Sequence, residues 1–180
     1  MIKEEQQINE IISGCKSGSS KAQEALYRSF YKAMMNLCLR YTKNDMDAME
    51  ALNTGFYKVF KNIQWYDPAR ASLYTWIRTI VINSCLDLAG VNKKAIQTVD
   101  LDIAAVNEIE PSVFSKLSAG HLLEMIRQLP VATQTVFNLY VMEGYNHKEI
   151  ATLLKITEGT SKWHLSDARK KLQTMINSAN

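Results

Sequence analysis

Only three prolines and seven glycines punctuate the 180 residues, and no stretch alternates apolar and polar side chains as a half-buried strand requires. That scarcity excludes most β architectures. Cysteines are few and odd in number (Cys15, Cys38 and Cys85), and each lies inside an apolar helical pattern. They exclude a disulfide framework and read as small core hydrophobes. Three scattered histidines (His121, His147 and His164) complete no metal-ligand spacing, so no metal is expected. The longest apolar run, around Ile80 to Ile82, falls far short of the roughly 20 residues a membrane helix needs. The amino terminus begins Met1-Ile2-Lys3-Glu4-Glu5 and has no signal-peptide core, so no membrane insertion and a cytoplasmic location are expected. Glycine-rich phosphate loops, Gly-x-Ser-x-Gly and His-Glu-x-x-His are missing as well. Without them no catalytic residue can be named, no cofactor is implied and an enzyme is not expected.

What is present is apolar enough for a packed core: 47% of residues are hydrophobic. The net charge of +3 hides a division. Residues 1–94 carry 13 Lys/Arg against 9 Asp/Glu, giving +4, and residues 116–180 carry 8 against 5, giving +3. Between them, residues 95–115 hold four acids (Asp100, Asp102, Glu108, Glu110) and no base, giving −4. Two mildly basic blocks flanking an acidic connector point weakly to a polyanion partner.

The periodicity is helical throughout, so the expected fold is all-α: two small helical domains, 1–94 and 116–180, joined by an acidic linker, 95–115. In the first block, Ile8, Ile11, Ile12 and Cys15 form a short stripe. Ser20 with Gln23 is spaced as a capping box before a stripe of Leu26, Phe30, Ala33, Leu37 and Tyr41. Asn44 or Asp45 caps a third helix with Ala48, Leu52, Phe56, Val59 and Ile63 on one face. Pro68 interrupts the chain before Ser72 opens a fourth, carrying Leu73, Trp76, Ile77, Ile80, Ser84 and Leu88. In the second block a short helix spans about Gly120 to Leu129, and another runs from Pro130 to Gly144.

Two places carry candidate chemistry. Asn146 and Glu149 are spaced as a capping box for a helix with Ile150, Leu153 and Leu154. Only Lys155, Ile156 and Thr157 separate it from a second helix, about Glu158 to Met175, with Leu165, Ala168, Leu172 and Met175 at helical spacing. Lys162, His164, Arg169 and Lys170 fall on its other face. A three-residue turn between helices of this size is the dimension of a helix-turn-helix, although an ordinary helical hairpin has the same pattern. Elsewhere, Trp65, Tyr66, Arg70, Tyr74, Trp76 and Arg78 gather around the Pro68 loop, with Asn83 two turns further on. Rings beside guanidinium groups suit unpaired bases; the plainer reading is that Trp65 and Trp76 anchor the bundle.

Several segments, in order, carry a resemblance. These are Cys38-Leu39-Arg40-Tyr41-Thr42-Lys43-Asn44, Gly55-Phe56-Tyr57-Lys58-Val59-Phe60-Lys61-Asn62-Ile63 and Tyr74-Thr75-Trp76-Ile77-Arg78-Thr79-Ile80-Val81-Ile82-Asn83. Leu129-Pro130, Val136-Phe137-Asn138-Leu139-Tyr140 and Glu143-Gly144-Tyr145-Asn146-His147-Lys148-Glu149-Ile150-Ala151 follow, then Gly159-Thr160-Ser161-Lys162 and Ala168-Arg169-Lys170-Lys171-Leu172. Over nearly its whole length the chain resembles the extracytoplasmic-function sigma factors of bacterial RNA polymerase. The resemblance implies that the first domain binds core polymerase and the −10 promoter element, and that the second reads the −35 element. Glu50, Leu52, Asn53, Phe56 and Lys58 are then the expected polymerase contacts. Tyr66, Arg70, Ser72, Trp76, Arg78 and Asn83 are expected at the −10 strand, and Lys162, Trp163, His164, Arg169 and Lys170 at the −35 duplex. Core RNA polymerase and promoter DNA are the implied partners, and an anti-sigma factor is a further one.

The chain departs from the family where Glu50, Asn53 and Thr54 replace the usual acidic and glutamine positions. It departs again where Lys155 stands for a turn glycine, and where Trp163 and Asp167 replace a small polar residue and an arginine. Those last two changes leave altered promoter specificity or reduced DNA binding as readings. The alternative to a sigma factor is a sigma-derived helical regulator that binds polymerase or another regulatory protein with little promoter binding.

Overall fold

In the computed structural model, which describes residues 2–90 and 119–178, every regular element is helical. The acidic connector expected at 95–115 lies outside the described residues. In chain order the helices are α1 (Ile2–Lys16), α2 (Ser20–Tyr41), α3 (Asp45–Asn62), α4 (Leu73–Leu88), α5 (Ala119–Gln128), α6 (Val131–Phe137), α7 (His147–Leu154) and α8 (Glu158–Ser178). They sort into two compact units. Helices α1 to α4 supply the first, apart from Arg40–Lys43 and the residues after Cys85, which group with the second.

In the first unit, α2 starts one residue away from the expected cap. Ser19, not Ser20, accepts the Ala22 amide on its hydroxyl at 3.4 Å and the Gln23 amide on its carbonyl at 3.0 Å. The buried side of α2 is Leu26, Met34, Leu37, Cys38 and Tyr41, while Phe30 is half-buried and Ala33 is exposed. Helix α3 follows its stripe as expected, with Ala48, Leu52, Phe56 and Val59 buried and Ile63 just beyond. Asn44 caps it, its Oδ1 accepting the Asp47 amide at 2.8 Å. Helix α4 buries Val81, Ile82, Cys85 and Leu86 besides Leu73, Ile77 and Ser84, whereas Leu88 is exposed. A helix apolar over so much of its circumference has a blurred periodic signal, which is why one stripe under-described it. Each fully buried aliphatic side chain contributes roughly 1.5–3 kcal/mol.

Helices α3 and α4 come close at Gly55, where a β-carbon would lie 2.9 Å from Val81 Cγ2 and 3.3 Å from Val81 Cα. Only glycine admits that spacing. All three cysteines are buried, as read from the sequence, and none forms a disulfide; Cys38 Sγ lies 3.7 Å from Cys85 Sγ.

In the second unit, Pro130 occupies the cap position of α6 with φ −54°, an N-terminal placement that costs no hydrogen bond. The expected single helix to Gly144 instead changes pitch. Asn138–Met142 form a π-helical turn, closed by the Glu143 amide on the Asn138 carbonyl at 3.0 Å. Ile126, Leu129, Val136, Leu139, Ile150, Leu154, Leu165, Ala168, Leu172 and Ile176 form the core. Ile176 takes the inward place expected of Met175, which is half-buried.

Candidate nucleic-acid interface

The loop between α3 and α4 begins as a 3-10 turn, Ile63–Trp65. It turns at Asp67, whose Oδ1 accepts the Ala69 amide at 2.9 Å. Its two adjacent aromatic residues part ways. Tyr66 is only 7% exposed, its hydroxyl donates to the Ala71 carbonyl at 3.2 Å, and its ring packs on Trp76 with centroids 5.2 Å apart. Burial, with Asp67 adding to it, pushes its phenol up. Tyr66 therefore braces the loop from beneath, and little of the ring expected at the −10 strand is exposed. Trp65, absent from that expected set, is 82% exposed and presents a free ring. Nothing in the spacing separates two neighbouring aromatics; the backbone turn alone sends one inward and one outward.

Ser72 accepts the Thr75 amide at 3.2 Å and shares a hydrogen bond with the Thr75 hydroxyl at 2.9 Å, so its observed role is to cap α4. Trp76 and Asn83, both half-buried, fall seven residues apart and share one face of α4. Arg78 sits roughly 160° around the helix from Trp76 and does not join that face. Arg70 is exposed in the loop.

On α3 the structure divides the expected polymerase contacts. Leu52 is 0% and Phe56 2% exposed, with the Tyr27 ring edge-on to Phe56 at 4.7 Å, so both belong to the core. Glu50 and Asn53 are exposed, Asn53 Oδ1 accepting from the Tyr27 hydroxyl at 3.1 Å, and Lys58 is half-buried. Met46 (83% exposed), Glu50, Asn53, Tyr57 (66% exposed) and Lys61 form an outward row at spacings of four, three, four and four. Met46 and Tyr57 escaped the sequence reading because apolar residues are expected inside, although their helical phase opposes the core stripe.

In the second unit, α7 carries the full capping box. Asn146 Oδ1 accepts the Glu149 amide at 2.9 Å, and Glu149 Oε2 accepts the Asn146 amide at 2.8 Å. Lys155 ends the helix in the left-handed region, φ 55° and ψ 46°, and the Ile156 amide returns to the Ala151 carbonyl at 3.0 Å. Thr157 caps α8 by accepting the Thr160 amide at 3.0 Å. His147 ties the two helices together, with Nδ1 2.9 Å from Ser161 Oγ and its ring stacked on Tyr140 at 4.6 Å. Burial first, then the Lys162 and Arg169 charges, holds its pKa below 6.5 against the pull of Glu158.

Helix α8 buries Thr160, Ser161, His164, Leu165, Ala168, Leu172 and Ile176. The remaining arc carries Lys162, Trp163, Ser166, Arg169, Lys170 and Gln173 outward. His164, expected at the −35 duplex, is 6% exposed and faces the core, with Nδ1 3.1 Å from Thr133 Oγ1. Two residues after Lys162, it falls half-way round the helix, a placement that counting cations on a face overlooked. The Thr133 hydroxyl has one proton and gives it to Asp167 Oδ2 at 3.1 Å, so His164 Nδ1 carries the hydrogen toward Thr133. Asp167 also accepts from Lys171 Nζ. A carboxylate that threatened to repel phosphates is thus held by two donors. Burial lowers the His164 pKa, Asp167 opposes and Lys171 adds to the lowering.

Comparisons with known proteins agree with this arrangement. The family model for sigma-70 region 2 matches residues 26–94, and that for sigma-70 region 4 matches residues 120–172. The chain is 26% identical over 170 residues to the ECF RNA polymerase sigma factor SigM of Mycobacterium tuberculosis, covering 93% of this chain and 83% of that one. It is 22% identical over 156 residues to SigM of Bacillus subtilis, covering 86% and 94%. It is 20% identical over 193 residues to the RNA polymerase sigma-H factor of Pseudomonas aeruginosa, covering 97% and 98%. Among solved structures, CnrH in complex with the cytosolic domain of CnrY shares the fold, with a TM-score of 0.52 at 15% identity over 94% of this chain and 97% of that one. Among the described residues no helix is long and apolar enough to cross a membrane. With both regions present in order, the chain belongs to the sigma-70 family, in its extracytoplasmic-function group, and is a sigma factor for promoter recognition by RNA polymerase.

Proposed function

We propose that this factor, in the cytoplasm, joins core RNA polymerase through the outward row of α3, captures −10 bases around the α3–α4 loop, and docks α8 on the −35 duplex. The chain performs no chemistry itself. Glu50 and Asn53, flanked by Met46 and Tyr57, are the polymerase contacts this reading keeps. Trp65, Arg70, Trp76 and Asn83 are the −10 residues, because exposed or half-exposed rings and a guanidinium beside them can stack flipped bases and hold phosphates. Base–ring stacking is worth roughly 1–3 kcal/mol per base, enough to offset unstacking of a few kcal/mol across several bases. Lys162, Trp163, Arg169 and Lys170 face the −35 duplex. The single observation that carries the reading is the outward cationic face of α8 in a fully capped helix-turn-helix. An anti-sigma protein is a further partner proposed for this chain; the fold neighbour CnrH was solved with the cytosolic domain of CnrY.

Run-off transcription with purified core enzyme tests the proposal. A pool of genomic fragments should yield discrete transcripts that depend on the factor, and −10 thymines should become permanganate-reactive. Trp65→Ala should reduce that reactivity while leaving −35 footprints unchanged. A factor that yields no transcript from any fragment would sink the reading.

A further inference from the structure

Resting on the −35 reading above, we infer that Trp163 is the specificity-determining residue of α8, selecting a thymine by packing its indole on the 5-methyl group in the major groove, with Thr133 as the positioning residue behind it. Trp163 is the sixth residue of α8, in the part of a recognition helix whose side chains reach base edges. Among the described residues of the outward face, Lys162, Ser166, Arg169, Lys170 and Gln173 are all polar, so Trp163 alone offers apolar surface there. The one apolar feature a base pair presents in the major groove is the thymine methyl.

Two further observations sharpen the choice. The indole is not loose: it meets the His164 ring edge-on, centroids 4.9 Å apart at 73°, and His164 is itself buried and held by Thr133 at 3.1 Å. Of the two carboxylates on this helix that could accept from cytosine N4, Glu158 and Asp167, Asp167 is held by Thr133 Oγ1 at 3.1 Å and by Lys171. One threonine hydroxyl therefore steadies the aromatic reader and engages the carboxylate four residues beyond it. The geometry favours a pyrimidine carrying a methyl group over one carrying an amino group.

The test uses the holoenzyme of core polymerase with the full chain, on a promoter selected from a library randomised in the −35 element. Each −35 thymine is replaced in turn by deoxyuridine, which removes the methyl and nothing else. At one position the wild-type holoenzyme should lose about fourfold in binding, the weight of one methyl group taken from water. That loss should vanish in Trp163→Ala and persist in Trp163→Phe, which keeps an apolar ring without the indole N–H. Thr133→Val should shrink the penalty at that same position while penalties elsewhere stay put, a pattern that general loosening of the domain does not produce. A wild-type enzyme indifferent to every deoxyuridine overturns the inference, as does a Trp163→Ala enzyme with an unchanged penalty. Trp163→Phe behaving like Trp163→Ala overturns it too. If no promoter in the library is bound, the −35 reading falls and takes this with it; binding without a methyl effect removes the inference alone.

Discussion

Gly55→Ala puts the contact between α3 and α4 to a quantitative test. Two effects compete. Alanine in a helix interior gains about 1 kcal/mol over glycine from propensity. Against it, the new β-carbon would sit 2.9 Å from Val81 Cγ2 and 3.3 Å from Val81 Cα. The first clash can ease by moving a side chain; the second is with backbone and cannot. Overpacking of one methyl costs about 1–3 kcal/mol, so the net should be a loss of about 1 kcal/mol, or about 5 °C in the melting of a unit this size. The three tryptophans make the assay local, since Trp65 and Trp76 lie in the first unit and Trp163 in the second. In a Trp163→Phe background, indole fluorescence reports the first unit alone. In a further Val81→Ala background the 2.9 Å contact is gone while the 3.3 Å contact with the residue-81 Cα stays, so the Gly55→Ala penalty should shrink without vanishing. If Gly55→Ala stabilises the protein with Val81 intact, the close approach does not limit packing and the reasoning fails.

Three other outcomes follow from the second unit. Lys155 has φ 55° without being glycine, so Lys155→Gly should raise its stability by about 1 kcal/mol in urea melts followed by Trp163 fluorescence; no gain would mean the turn carries no strain. His164 and His147 both have folded pKa values below the ordinary 6.5. The unfolded chain therefore binds protons below pH 6.5 that the folded chain refuses, and stability falls as pH drops from 7.5 to 5.5. His164→Gln should make that slope shallower, and a flat profile in the wild type would refute it. Lys170→Ala should weaken holoenzyme binding about equally across promoters and lower the slope of log K against log salt by about 0.9; a promoter-selective loss would mean that Lys170 reads bases.

The sequence by itself determined the helices, because their stripes recur at the helical period and their ends carry local chemistry. Asn44, Ser72, Asn146 and Thr157 cap by bonding amides three residues away, and such interactions need no tertiary partner. The all-helical class and the helix-turn-helix followed from the same short-range terms. Only the tertiary structure decided which side chains of a functional set remain outside. Tyr66 went inward while its neighbour Trp65 kept exposed surface, and His164 was taken into the core against Thr133. Asp167 has one donor, Lys171, four residues on in its own helix, and a second, Thr133, more than thirty residues earlier in the chain, that only the fold supplies. Helical phase along α3 and α8 already set Leu52, Phe56 and His164 apart from Tyr57 and Lys162; what spacing cannot record is which distant neighbours packing brings within a few ångströms.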